Sequence, residues 1–290
     1  MGGWTIGIIG GSGLYAMDAL EDAQWITVDT PWGAPSDALR IGSLFGVRFA
    51  FLPRHGRGHP LSPTGINYRA NIDALKRVGC TDLVAVSAIG SLREQLAPGC
   101  FVMVDQFIDR TIRRETSFYG SGMVAHVPMA EPVCPRLSGL AADAAEAAGA
   151  SVVRGGTYVA IEGPQFSSRA ESLLYRSWGC DVIGMTAMPE ARLAREAELP
   201  YALVGMVTDY DCWREGAETV EVGAILAQLD ANAETARSLI VELARSLPEE
   251  RPPSPIDWVL DTALITAPDA RDPTLLKKLD AICGRVLAGR

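Results

Sequence analysis

Short apolar runs alternate with helix-periodic segments along most of this chain, and that alternation limits the fold more than any other feature. Trp4 to Ile9 is an apolar run ending at Gly10-Gly11, the pattern of a buried strand entering a turn. Residues 39–52 (LRIGSLFGVRFAFL) carry β-rich runs on either side of a glycine-containing turn and predict a hairpin. Residues 67–78 then place Tyr68, Ile72, Leu75 and Val78 at helical spacing and stop at Gly79. Leu83 to Val86 follows as a continuous apolar run, as in a strand covered on both faces. The pattern repeats: helices at about 136–148, 168–178 and 189–198 precede strands at 152–161, 181–185 and 201–207, and a long helix covers roughly 222–246. Short connections between such segments predict an α/β fold, a mixed, largely parallel central sheet flanked by helices. The proline-rich stretch Pro248 to Pro255 reads as a linker to a final helix at about 273–287. The expected organisation is one domain over 1–247, with 248–290 as its linker and C-terminal helical extension.

Charge and cysteine usage narrow the function classes. A formal net charge of −9 argues against a nucleic-acid surface, which needs clustered Lys and Arg to release counterions. It leaves room for a small anion in a local basic pocket. The six cysteines are scattered without a C-x-x-C pair, and three histidines make no zinc-type cluster, so no metal is expected and the thiols read as free in a reducing compartment. No apolar run reaches the length that spans a bilayer, and the first apolar run lacks a basic leader. The expected location is cytoplasmic, with no membrane partner.

In open α/β sheets, ligands gather beyond the carboxyl ends of the strands. That rule selects Gly10 to Gly13, Arg54-His55, Ser87 to Gly90, Met185-Thr186 and Thr208 to Asp211. Gly10-Gly11-Ser12-Gly13 suits a phosphate cradle, since glycines let backbone N–H groups approach an anion. It equally fits a dinucleotide fingerprint, with Asp29 at a suitable distance, or an ordinary tight turn. Arg54-His55-Gly56-Arg57-Gly58-His59 packs two Arg and two of the three His into six residues. Arg is suited to bidentate oxyanion contact and an adjacent His to donating a further bond. Ser87 to Ser91 offers a hydroxyl and backbone N–H groups, or a structural turn, and Thr186 one more hydroxyl. Thr208-Asp209-Tyr210-Asp211 ends an apolar run with two carboxylates at i, i+2. These can cap a helix, hold a metal, or accept from a 6-aminopurine, and composition does not choose.

Assembled in order, the segments IGIIGGSGLY, LPRHGRGH, NYRANIDALKRVGCTDL, AIGSLREQLAPG, VDQFIDRT, HVPMAEPVCP, IEGPQFSSRAES, GMTAMPEA and MVTDYDCW resemble the trimeric purine nucleoside phosphorylases, and within them the branch that cleaves 5′-methylthioadenosine, over residues 5 to about 246. The resemblance implies that Ser12, Arg54, His55, Ser87, Ala88 and Thr186 hold phosphate. It implies that the nucleoside lies along Ala88, Phe166, Met185 and Asp209, with Asp211 near the base. Ser167 and Val222 match positions linked to substrate choice. His126 matches a residue that a neighbouring subunit contributes near the 5′ substituent, which implies a homotrimer. Asp209 and His55 are then the expected catalytic residues, Asp209 sharing a proton with N7 of the purine. Relatives that prefer 6-oxopurines carry Asn at the position of Asp209, whereas a carboxylate suits a 6-amino group. The implied reaction is phosphorolysis of 5′-methylthioadenosine to adenine and 5-methylthioribose 1-phosphate, with phosphate as co-substrate and no cofactor. The alternative is broader action on adenosine, inosine or methylthioinosine. In the extension, Ala263-Leu264-Ile265 is the candidate for the apolar wall around the methylthio group.

Overall fold

The computed structural model describes residues 3–11, 13–15, 17–214 and 222–288, apart from the side chains of residues 222, 224–226 and 288. The chain begins with β1 (Thr5–Gly10), β2 (Glu21–Ile26), β3 (Leu39–Leu44) and β4 (Val47–Pro53), then α1 (Tyr68–Arg77), β5 (Asp82–Ser91), β6 (Cys100–Val104) and β7 (Gln106–Asp109). There follow α2 (Pro135–Ala147), β8 (Ser151–Arg154), β9 (Thr157–Ala160), α3 (Arg169–Ser177), β10 (Val182–Gly184), α4 (Ala187–Glu196), β11 (Tyr201–Asp209) and α5 (Val222–Ser246). The extension holds α6 (Leu260–Ala263), α7 (Pro273–Lys278) and α8 (Asp280–Ala288).

The hairpin forms as expected. Leu44 faces Val47 across β3 and β4, and the two turn residues Phe45 and Gly46 both have positive φ (51° and 77°), the handedness that matches strand twist. Helix α1 starts at Asn67, whose side chain accepts from the Ala70 N–H. Helix α3 is closed by a capping box between Ser168 and Glu171. Parallel pairs join β1 to β4 and β5, β5 to β11, β9 to β10 and β7, and β6 to β8. Antiparallel pairs join β2–β3, β3–β4, β5–β10 and β6–β11, so the sheet is mixed and largely parallel. One face packs on α1, α4 and α8 through Ile72, Leu75, Leu193 and Ile282; the other packs on α2 and α5 through Leu137, Ala141, Leu239 and Leu243. Along β5, Leu83, Ala85 and Ile89 enter the first cluster and Val84 and Val86 the second, which is why this strand reads as a continuous apolar run.

Four expectations need correction. Ser87 to Ser91 is not a turn beyond the strand but the second half of β5, extended because β11 and then β10 pair with it. The strand expected over 152–161 is two strands: Gly155 and Gly156 (φ 87° and 150°) break it, and a Cβ at Gly155 would stand 2.9 Å from the Asp105 carboxylate. The final helix is also two, α7 and α8, separated at Leu279. The stretch 248–255 is tied down rather than a free linker, for Arg251 bonds Asp82, Asp257 and the Thr81 carbonyl. Beyond it, Leu260, Leu279, Ile282 and Cys283 enter the same core as α1. All six cysteines are free, and among the described residues no helix is long and apolar enough to cross a membrane.

Candidate active site

A split in the sheet makes the site. Strand β1 accompanies β5 from Asp82 to Ala85, and β10 joins the same edge at Gly90 and Ser91. Between them, residues 86–89 of β5 have a strand partner only on the β11 side among the described residues. A cleft of about 360 Å³ opens on that unpaired edge, and Val86, Ser87, Ala88 and Ile89 line it. This is the crevice expected where neighbouring strands diverge.

Most of the residues singled out in the sequence converge there. Arg54, His55, Ser87, Ala88, Phe166, Ser167, Met185, Thr186, Asp209 and Asp211 all line the cleft. Ser12 lies outside the described residues, although its neighbour Gly11 is on the wall. Val222 opens α5 and its side chain lies outside the described part, while Leu229 and Ala233 of that helix reach the cleft. His126 does not line the cleft of its own chain. It is exposed on a segment whose backbone is held by the extension, with its N–H bonded to the Ala263 carbonyl. Ala263, Leu264 and Ile265 are likewise absent from the wall; Leu264 instead forms a bridge with Ala125.

The anion end differs from the sequence expectation in how its charge is held. Arg54 is 2 % exposed, and its Nε and Nη2 grip both oxygens of Glu190 at 2.9 and 3.2 Å. Nη1 donates to Val86 O and Nη2 to Ile9 O, each at 3.0 Å. A guanidinium has five N–H donors, so one, on Nη1, is left for an anion. Bidentate contact with phosphate is therefore not what this arginine offers; its fork is spent on Glu190. Burial opposes its charge, but the Glu190 carboxylate outweighs burial and raises the pKa. Glu190, 1 % exposed and also bonded by the Tyr201 hydroxyl at 2.9 Å, went unseen in the sequence because nothing there couples positions 54 and 190. Ser87 and Thr186 bring their hydroxyls within 3.4 Å of each other.

His55 also departs from expectation. Its Nδ1 lies 2.9 Å from the Leu61 carbonyl, which only accepts, so Nδ1 carries the proton and Nε2 keeps a lone pair in the neutral ring. Burial, helped by the charge of Arg54, lowers its pKa to about 4 against the opposing bond to Leu61. Near neutral pH the free site therefore presents an acceptor at His55, not the expected second donor. The ring stacks on His59 with centroids 4.1 Å apart.

At the other end, β11 bulges between Val207 and Asp209, and the bulge turns the strand's last carboxylate toward the cleft. Asp209 accepts from the Asp211 N–H on Oδ1 and from the Thr208 hydroxyl on Oδ2, both at 2.7 Å. Burial raises its pKa and those two bonds only partly offset it. Asp211 has a positive φ (51°), and its buried Oδ2 has no hydrogen-bond partner among the described residues. Burial raises its pKa too, and the neighbouring charge of Asp209 adds to the effect. Gly90 leaves room for this pair: a Cβ there would stand 3.1 Å from Asp209 Oδ1. Among the described residues no third His, Cys, Asp or Glu groups with the two carboxylates.

Comparison with known proteins identifies the family. The family described as "Phosphorylase superfamily" matches residues 5–245. S-methyl-5′-thioadenosine phosphorylase of Cereibacter sphaeroides is 62 % identical over 98 % of this chain and 99 % of its own length. That of Bradyrhizobium diazoefficiens is 58 % identical over 98 % and 99 %. The crystal structure of a methylthioadenosine phosphorylase from an antarctic soil metagenomic library superposes with a TM-score of 0.91 at 45 % identity, covering 96 % of this chain and 98 % of that one. The Schistosoma mansoni methylthioadenosine phosphorylase in complex with adenine does so with a TM-score of 0.81 at 36 % identity, covering 97 % and 98 %. With the family model spanning the sheet and every segment that forms the cleft, the chain belongs to the phosphorylase superfamily.

Proposed function

We propose that this chain cleaves the N-glycosidic bond of 5′-methylthioadenosine with inorganic phosphate, giving adenine and 5-methylthioribose 1-phosphate. The observation that carries the reading is the shared cleft: a buried carboxylate at Asp209, its pKa raised by burial, and an anion end at Arg54, Ser87 and Thr186 open onto one space. The names of the relatives, and the adenine held by the Schistosoma protein, support the same substrate.

In the reaction the C1′–N9 bond breaks and its electron pair leaves with the purine. A phosphate oxygen then forms the new bond to C1′. Asp209, protonated, gives or shares its proton with N7 so that adenine leaves neutral, help worth roughly 10²–10⁴-fold. Phosphate is assigned to Ser12, the free N–H of Arg54, His55, Ser87, Ala88 and Thr186. A phosphate hydroxyl can donate a hydrogen bond to Nε2 of the neutral His55 while keeping its proton. The nucleoside is assigned to Ala88, Phe166, Met185 and Asp209, with Asp211 beside the base and Ser167 and Val222 tuning choice. His126, exposed away from its own cleft, is assigned to the 5′ end of a neighbouring site in a homotrimer. Phosphate is the co-substrate, and no metal or organic cofactor is assigned to the reaction. Adenine release from 5′-methylthioadenosine, with and without phosphate, tests the proposal directly. The value of kcat/KM should exceed those for adenosine and inosine; release that does not depend on phosphate, or a preference for inosine, would overturn it.

A further inference from the structure

The loop that follows β7 carries an arginine outside every segment assigned above. The Arg114 side chain is 1 % exposed and faces Glu162 through Nε at 3.3 Å. The two N–H bonds of its Nη1 are shared among the carbonyls of Met185 and Met188 and the more distant Tyr68 hydroxyl, and its Nη2 donates to the carbonyls of Glu162 (2.8 Å) and Ile161 (3.4 Å). Glu162 in turn accepts from the Ile112 N–H at 2.6 Å, the Arg113 N–H at 3.2 Å and the Thr64 hydroxyl. Burial works against its charge, but these bonds outweigh it and hold the pKa at about 2.

One ion pair thus ties four separate stretches of backbone between or at the ends of elements: 63–68, 110–114, 161–162 and 185–188. Three of them supply cleft walls, namely Pro63, Ile161 and the Met185-Thr186 pair. Met188 has extended backbone (φ −116°, ψ 132°) inside the first turn of α4, so its carbonyl lacks a regular helical setting and is taken by Arg114 instead. Buried carbonyls in such stretches need donors, and a planar guanidinium supplies several in fixed directions. At the anion end, Arg54 and Glu190 form their own clamp, and the bonds of Arg114 described above reach neither of them; Thr186 alone adjoins a carbonyl that Arg114 holds.

We infer that Arg114, paired with Glu162, is a positioning residue that fixes the nucleoside half of the cleft by holding the carbonyls of Ile161, Glu162, Met185 and Met188. The inference rests on the reading of the cleft as a nucleoside site. A wall displaced by ~1 Å is enough to cost ~10²-fold in rate. The test uses Arg114→Lys and Arg114→Ala in the full chain, with separate KM values for 5′-methylthioadenosine and phosphate and melting temperatures alongside. Expected are folded variants in which the nucleoside KM rises and kcat/KM falls roughly 10- to 100-fold, while the phosphate KM moves far less. Guanidinium added to Arg114→Ala below denaturing concentration should restore part of the loss. Unchanged nucleoside KM in Arg114→Lys, an equal rise in both KM values, or a loss that guanidinium leaves untouched would overturn the inference. If Arg114→Ala does not fold, Arg114→Lys and Glu162→Gln carry the same comparison of the two KM values. A wild-type protein that releases no adenine would instead remove the proposed function, so the two failures are told apart.

Discussion

At the scale of single residues, the anion end depends on one pairing, the grip of the Arg54 guanidinium on both oxygens of Glu190. Arg54 and Asp209 were legible because arginine after a strand and paired carboxylates after another are uncommon and chemically pointed. Glu190 was not, since its role exists only once the fold brings it to Arg54 across 136 residues. Tautomers are equally hidden: the Leu61 carbonyl, not the sequence, sets His55 as an acceptor. Glu190→Gln should release one side of the Arg54 clamp, raising the phosphate KM with little change in the nucleoside KM. Removing the group altogether in Glu190→Ala leaves a buried charge unpaired, a defect that typically costs about 3–5 kcal/mol, and should also lower the melting temperature. Steady-state kinetics in both substrates together with melts checks the pair, and unchanged phosphate KM in the Gln variant would refute it. For Asp209 the raised pKa gives a sign: the proton it shares is present at low pH and lost as pH rises through that pKa. Asp209→Asn should therefore flatten the fall of kcat/KM for 5′-methylthioadenosine at high pH, weaken turnover of 6-aminopurine nucleosides, and shift preference toward inosine. Selectivity unaltered in the variant would count against a base-reading role.

Elements were mostly legible, because helices with one apolar face and strands buried on both faces leave different periodicities. What escaped were features set by neighbours. Strand β2 is exposed along nearly its whole length and forms by pairing with β3, so it has no apolar pattern to read. The sequence reading places no strand at β6 or β7, although β6 is buried throughout; β7 lies inside a stretch that carries the family resemblance, and β6 meets that stretch only at Val104. The second half of β5 looked like a turn because Ser87, Gly90 and Ser91 break its apolar run, yet β10 and β11 hold it extended. Helix α4 ends in a carboxylate whose surroundings make a separate prediction. Glu196 accepts from the Ser117 hydroxyl at 2.6 Å and the Phe118 N–H at 2.7 Å, but burial dominates and raises its pKa to about 7 from an ordinary 4.5. Between those two values the folded protein holds a proton that the unfolded chain has released. The stability this group contributes is therefore greatest below about 4.5 and is lost as pH rises through about 7. Melting temperatures measured from acid to mildly alkaline pH should decline less steeply in Glu196→Gln than in the wild type. Identical slopes would mean that Glu196 ionises normally in the folded chain.

At the scale of the whole molecule, the extension does more than close the core. Arg285 binds Glu198 at 2.6 and 2.8 Å, and Glu198 accepts the Leu260 N–H at 3.0 Å, fixing α6 and α8 to the corner between α4 and β11. From that anchor the backbone at Ala263 and Ile265 and the Thr266 hydroxyl bond residues 124–126, so the extension sets where His126 stands on the outside of the chain. This link was invisible in the sequence, where 120–126 and 263–266 show no shared pattern. If His126 completes a neighbour's site, subunits that lack it and subunits that lack Asp209 must complement one another. Neither His126→Ala nor Asp209→Asn homotrimers would have an intact site. In closed threefold symmetry a random equal mixture, unfolded and refolded together, places an intact Asp209 beside an intact neighbouring His126 in about a quarter of the sites. Activity toward 5′-methylthioadenosine should therefore rise on mixing to roughly that fraction of the wild-type value, given that each variant alone is weak. If both residues served the same chain's cleft, every site in the mixture would stay defective and mixing would add nothing.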